Sequence, residues 1–195
     1  MIPDTLDLFG EVISRKNKST LQSSIGSRNN NVGLDFYPTP PIATIELLER
    51  ETFTGGIWEC ACGDGSMSKV LEDYDYPVRS TDLVYHGYGE ESSLNFLRST
   101  ERADNIITNP PFKKANQFIA KALNKADHQV ALLMRLNYVS SDARMKFYKS
   151  NKVFPFRKLY VFSYRLPFKG SGNMMDFAWF IWDKSYKGEP TIDWI

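Results

Sequence analysis

The spacing of apolar side chains changes several times along the chain, and each change marks an element. Behind Pro40-Pro41, Ile42, Ile45, Leu47 and Leu48 recur at helical spacing, which predicts a helix over residues 42–50 with those four as its buried side. Gly55-Gly56 ends it. Residues 57–61 are a short apolar run, read as a buried strand, and the turn Gly63-Asp64-Gly65 leads into a helix over 66–73. Further strands are predicted at 77–83, 104–108 and 129–136, with helices at 113–126 and 142–150. Residues 159–164 and 176–182 are aromatic, β-prone runs joined by a glycine-containing loop, and are read as an antiparallel pair. Strands alternating with helices imply an α/β fold, a mostly parallel sheet covered by helices on both faces with a C-terminal antiparallel hairpin. Residues 1–34 differ: apart from a short amphipathic stretch over 2–13 they are polar, and they are read as a flexible arm ahead of one domain over 35–195.

Composition narrows the picture only slightly. The chain has 195 residues, enough for one ordinary core, and 24 basic against 23 acidic residues, so its overall field does not mark a nucleic-acid binder. Local charge is less even. Arg144, Lys146, Lys149, Lys152, Arg157, Lys158, Arg165 and Lys169 form a basic stretch, either a solvated face or a grip for phosphates. Cys60 and Cys62 are too close in sequence to bridge readily and lack a second pair for zinc, and His86 and His128 lack ligand spacing. No metal is expected, and the cysteines are read as reduced packing residues of a cytoplasmic protein. No signal peptide is recognised and no apolar run is long enough to span a membrane, so no membrane partner is expected.

Ligands of an open α/β sheet bind at the carboxyl ends of its strands. The first such end is Glu59-Cys60-Ala61-Cys62-Gly63-Asp64-Gly65. It lacks the lysine of a phosphate loop and the three-glycine spacing of a dinucleotide fingerprint. An acid before a tight glycine turn suits a ligand with an amino group, although a plain strand-to-helix turn reads the same way. Asp82 follows the second strand, where a carboxylate can accept both hydroxyls of a ribose or simply cap a turn. Together they suggest an adenosine-bearing ligand. The third strand ends in Asn109-Pro110-Pro111-Phe112. An exocyclic amine on a nucleobase is a poor nucleophile because its lone pair is delocalised. Two fixed carbonyls, from the Asn109 side chain and the Pro110 backbone, can hold its N–H groups and turn the lone pair toward an electrophile. Proline makes the turn rigid and Phe112 offers a flat face for a base. Such chemistry is positioning and electrostatics.

This tetrapeptide resembles the catalytic motif of S-adenosylmethionine-dependent amino-methyltransferases, above all the N6-adenine DNA methyltransferases. Phe36-Tyr37-Pro38-Thr39-Pro40 resembles the N-terminal cofactor motif of that family, Glu59 to Gly65 its glycine-rich loop, and Asp82 its ribose acid. The resemblance implies a Rossmann-like methyltransferase fold, S-adenosylmethionine as cofactor and DNA as partner. It places Tyr37, Thr39, Glu59 and Gly63 around the methionine part, with Cys60, Ala61 and Asn109 beside them. Asn95-Phe96-Leu97 resembles an Asp-Phe-Leu segment, with Phe96 packed on the cofactor adenine and Asn95 in place of the usual aspartate. Arg165-Leu166-Pro167-Phe168 resembles a loop that closes over the target base in small phage-type relatives, and Phe168 is read as a second stacking ring or a buried anchor. Lys149, Lys152, Arg157, Lys158, Arg165 and Lys169 are assigned to DNA phosphates.

No separate target-recognition segment is recognised, which resembles phage- or prophage-encoded enzymes. Sequence reading is expected from loops 138–142 and 169–175. The same motifs serve RNA equally. A protein-glutamine acceptor fits less well, because that motif normally ends in tyrosine, and a non-catalytic cofactor- or DNA-binding module is the remaining alternative.

Overall fold

A computed structural model describes residues 37–168 and 175–195; the expected arm lies outside them. Helix α1 (Pro41–Leu48) starts with proline at its first position, where the missing N–H costs no hydrogen bond. Its buried side is Ala43, Thr44 and Leu47, while Ile42 is 36% exposed. The predicted stripe is therefore rotated, and the indole Nε1 of Trp179 donates to the Ala43 carbonyl at 2.7 Å, fixing the smaller side chain against the sheet. Strand β1 (Ile57–Glu59), helix α2 (Ser66–Asp73), strand β2 (Val78–Ser80) and strand β3 (Ala103–Thr108) follow. Strands β1 and β2 are shorter than predicted, since Cys60 and Thr81 already leave the ladder to form turns. No helix or strand lies between β2 and β3. That segment packs Leu94, Phe96 and Leu97 against the core in place of a helix.

After β3 come a 3₁₀ turn (Phe112–Lys114), α3 (Ala115–Lys125), β4 (Ala126–Arg135), a second 3₁₀ turn (Leu136–Val139), α4 (Asp142–Ser150), β5 (Phe156–Val161), β6 (Phe177–Asp183) and β7 (Thr191–Trp194). The sheet has seven strands in the order β2-β1-β3-β4-β6-β5-β7. The β2-β1-β3-β4 block is parallel, β6 runs antiparallel between β4 and β5, and β7 pairs parallel with β5 at the edge. The antiparallel pair is thus as expected, but its second strand is inserted into the sheet.

Strand β6 shows why. Phe177-Ala178-Trp179-Phe180-Ile181-Trp182 is buried throughout, because a central strand meets helices on both faces. Period two sends Ala178, Phe180 and Trp182 to the side of α3 and α4, and Phe177, Trp179 and Ile181 to the side of α1 and α2.

Candidate active site

The carboxyl ends of β1, β2 and β3 open on one cleft of about 270 Å³. Tyr37, Thr39, Glu59, Cys60, Ala61, Gly63, Asp82, Asn95, Phe96 and Asn109 to Phe112 all line it. Residues as far apart in sequence as Tyr37 and Phe112 therefore share one space, as the parallel topology requires.

The glycine turn is held from two strands. Gly63 and Gly65 sit at φ of 54° and 78°, conformations that glycine adopts without steric cost. The Gly65 N–H donates to Cys62 O at 2.9 Å, and the Cys62 N–H to Thr81 O at 3.0 Å. Asp82 accepts from Gly63 N at 2.8 Å through one carboxylate oxygen and from Val84 N at 3.1 Å through the other. The acid expected to hold a ribose thus also pins the turn, and each oxygen retains a second lone pair.

Glu59 is buried at the head of the cleft. Its carboxyl accepts a short hydrogen bond from Ser68 Oγ, which in turn accepts from Ser80 Oγ at 2.7 Å. Burial pushes its pKa from 4.5 to about 8; the Ser68 hydrogen bonds oppose this, and the charges of Asp82 and Asp64 add to it. Burial likewise raises both thiols, Cys62 to about 12, so both are protonated at neutral pH.

Asn109 carries the decisive geometry. Its Nδ2 donates to Thr39 Oγ1 at 3.1 Å, while its Oδ1 is buried without a hydrogen-bond partner. Pro110 is buried beside it, and Phe112 opens the 3₁₀ turn. The Phe112 carbonyl accepts from Tyr138 Oη at 3.0 Å. Its ring stacks with Tyr37 at 5.6 Å between centroids and carries the Arg135 guanidinium at 4.0 Å. Asn95 Oδ1 accepts from Leu97 N at 3.1 Å, so the amide serves its own turn as an aspartate would. Phe96 is shared between cleft and core, edge-on to Trp58 at 5.2 Å.

Outside the cleft several assignments need correction. Arg157 and Lys158 are not a free phosphate grip. Arg157 pairs with the buried Glu51 and lies 3.7 Å from Asp183, and Lys158 pairs with Asp193 at 3.2 Å. Both lie within β5, before its carboxyl end. Lys149 and Lys152 are exposed, in the last turn of α4 and in the segment after it. Arg165 lies past the carboxyl end of β5 and is exposed. Phe168 is a buried anchor, its ring 4.6 Å from Phe177, and not an open stacking face. Lys169, with loop residues 170–174, lies outside the described residues.

Neither a family model nor a curated protein matches the chain. Solved structures do. The modification subunit assigned to a type I restriction enzyme of Vibrio vulnificus aligns over 85% of this chain and 48% of its own, at 16% identity and TM-score 0.59. The type I restriction-modification methyltransferase subunit of Streptococcus thermophilus aligns over 78% and 46%, at 12% and 0.57. Magnesium protoporphyrin IX methyltransferase of Synechocystis, with S-adenosylmethionine bound, aligns over 74% and 77%, at 15% and 0.53. The fold is that of class I S-adenosylmethionine-dependent methyltransferases. The chain spans about half the length of the two type I subunits.

Within this methyltransferase fold, sequence reasoning missed Ser68, Arg135 and Tyr138. Ser68 reads as an ordinary helix residue, Arg135 ends β4 with no motif around it, and Tyr138 falls in a loop read only for sequence recognition. Thr39 was assigned to the cofactor alone, yet it is bonded to Asn109. Among the described residues no group of His, Cys, Asp and Glu is arranged to hold a metal, and no helix is long and apolar enough to cross a membrane.

Proposed function

We propose that the protein transfers a methyl group from S-adenosylmethionine to the exocyclic N6 of an adenine extruded from DNA. One observation carries this reading: the Asn109 carbonyl oxygen is buried and unpartnered, on a proline-fixed turn at the mouth of the cleft. A buried acceptor without a donor is costly unless a ligand supplies one, and an amine does.

The cleft fits the cofactor. Glu59 offers a carboxyl to an ammonium group, Asp82 offers acceptor lone pairs to ribose hydroxyls, and Phe96 lines the wall. Bound S-adenosylmethionine supplies an electrophilic methyl group on a cationic sulfur. Asn109 Oδ1 and the Pro110 carbonyl accept the two N–H groups of the target amine. They hold its lone pair on the line of attack, and the proton lost after transfer passes to solvent. Neither residue becomes covalently attached; the work is orientation and electrostatic stabilisation. A base inside a duplex cannot reach Asn109, so extrusion is required. Phe112 at the end of the motif favours a nucleobase over a protein amide, and DNA is favoured over RNA because two of the similar structures are restriction-modification subunits.

The test is isotopically labelled S-adenosylmethionine with unmethylated duplex DNA, RNA and protein as separate acceptors, followed by nucleoside mass spectrometry. N6-methyl-2′-deoxyadenosine from the DNA is expected. Asn109→Ala should lower turnover by about 10²–10³-fold or more while cofactor affinity stays nearly unchanged. Full activity in that variant would sink the mechanism, and label in RNA or protein alone would move the substrate.

A further inference from the structure

Arg135 is the last residue of β4 and does not line the cofactor cleft. In the parallel β3–β4 pairing Thr108 faces Leu132, and Arg135 lies three residues further along β4, against the turn that follows β3. Its guanidinium carbon is 4.0 Å from the centre of the Phe112 ring. Its Nε is buried and makes no hydrogen bond. No ion pair among the described residues includes Arg135, whereas Arg50, Arg79, Arg102 and Arg157 each have a carboxylate. Arg144 has backbone carbonyls of Tyr138, Asn137 and Ser140 instead.

A partly buried guanidinium held on a ring retains its in-plane N–H donors, and a sheltered donor left unpaired is unfavourable. The ring face compensates the charge only in part. The protein therefore holds a cation that calls for an anion from outside, at the edge of the sheet where the acceptor must arrive. Guanidinium matches phosphate oxygens through paired N–H groups. We propose that Arg135 binds the phosphodiester of the extruded nucleotide, and that its seat on Phe112 couples the backbone of that nucleotide to the position of its base. This rests on the function proposed above and narrows its substrate class. The acceptor is a base within a polynucleotide, since neither a protein amide nor an uncharged free base brings the anion.

The measurement is fluorescence anisotropy of a labelled duplex DNA titrated with the protein and S-adenosylhomocysteine, across roughly 50–200 mM salt. Arg135→Gln should flatten the slope of log affinity against log salt by about 0.9, the loss of one phosphate contact, and Arg135→Lys should restore it. S-adenosylhomocysteine affinity, measured alone, should be equal in all three proteins, which separates lost charge from lost fold. If Arg135→Gln fails to fold, Arg135→Met keeps the aliphatic stem against the ring and carries the same comparison. An unchanged slope in the neutral variant overturns the assignment, as does wild-type protein that does not bind the duplex. Failure of the function reads differently. Wild-type protein would then transfer no label to DNA, while a slope that depends on Arg135 would still establish the phosphate contact.

Discussion

Glu59 illustrates how one side chain can carry both a ligand site and a stability cost. Burial dominates at its carboxyl and raises its pKa to about 8. The folded state then keeps a proton that the unfolded state releases above about 4.5. The favourable contribution is complete below that value and is lost as pH rises through about 8. Ligand-free protein should accordingly lose stability between about pH 5 and pH 8 in urea denaturation and level off above, and Glu59→Gln should remove most of that decline. An equal decline in the variant would place the titrating group elsewhere. Asn109 directly follows β3 as Glu59 ends β1, but its cost is an unpaired carbonyl, which in the proposed reaction the acceptor amine relieves and not a proton.

At the scale of elements, the Asn109–Phe112 turn is held in part by the segment after β4. Tyr138 lies in the short 3₁₀ turn Leu136–Val139 and donates to the Phe112 carbonyl. Its own carbonyl accepts from Arg144 Nε at 3.0 Å, at the first turn of α4, where Ser141 caps the helix through Arg144 N. The Asn109–Phe112 turn, the 3₁₀ turn Leu136–Val139 and α4 therefore form one hydrogen-bonded unit. Tyr138→Phe should cost about 1 kcal/mol of stability, the net worth of one hydrogen bond. It should also lower turnover severalfold with cofactor affinity unchanged, measured by thermal unfolding and single-turnover methylation. Unchanged turnover would show that the proline-fixed turn needs no such support.

Across the whole molecule the placement of charge decides what is available for binding. Glu51, at the end of α1, takes Arg157 and accepts from Tyr160 Oη at 2.6 Å, which locks α1 to β5 across the sheet. Removing Arg157 would leave Glu51 buried without a counter-charge. Arg157→Ala should thus destabilise the protein by about 3–5 kcal/mol in urea denaturation while leaving the salt slope of DNA binding unchanged. A reduced slope with normal stability would return Arg157 to the nucleic-acid surface. The basic stretch that looks continuous in sequence is divided by the fold into internal pairs, the far end of α4, and a small set near the catalytic edge.

The sequence by itself determined the alternation of strands and helices, the antiparallel character of the last long pair, and the spacing that carries Tyr37, Glu59, Asp82 and Asn109 to one edge. Those features follow from local periodicity and from the rule that parallel strands present their carboxyl ends together. Only the tertiary structure decided the insertion of β6 between β4 and β5, the rotation of α1 onto Ala43 and Leu47, the pairing of β7, and the burial of Phe168. It also decided which cations are neutralised. Arg157 meets Glu51 across 106 residues, whereas Arg135 meets a ring and, among the described residues, no carboxylate. A side chain's period is written in its neighbours in sequence, but its partner and its solvent are set by elements far along the chain, brought together only when the sheet closes.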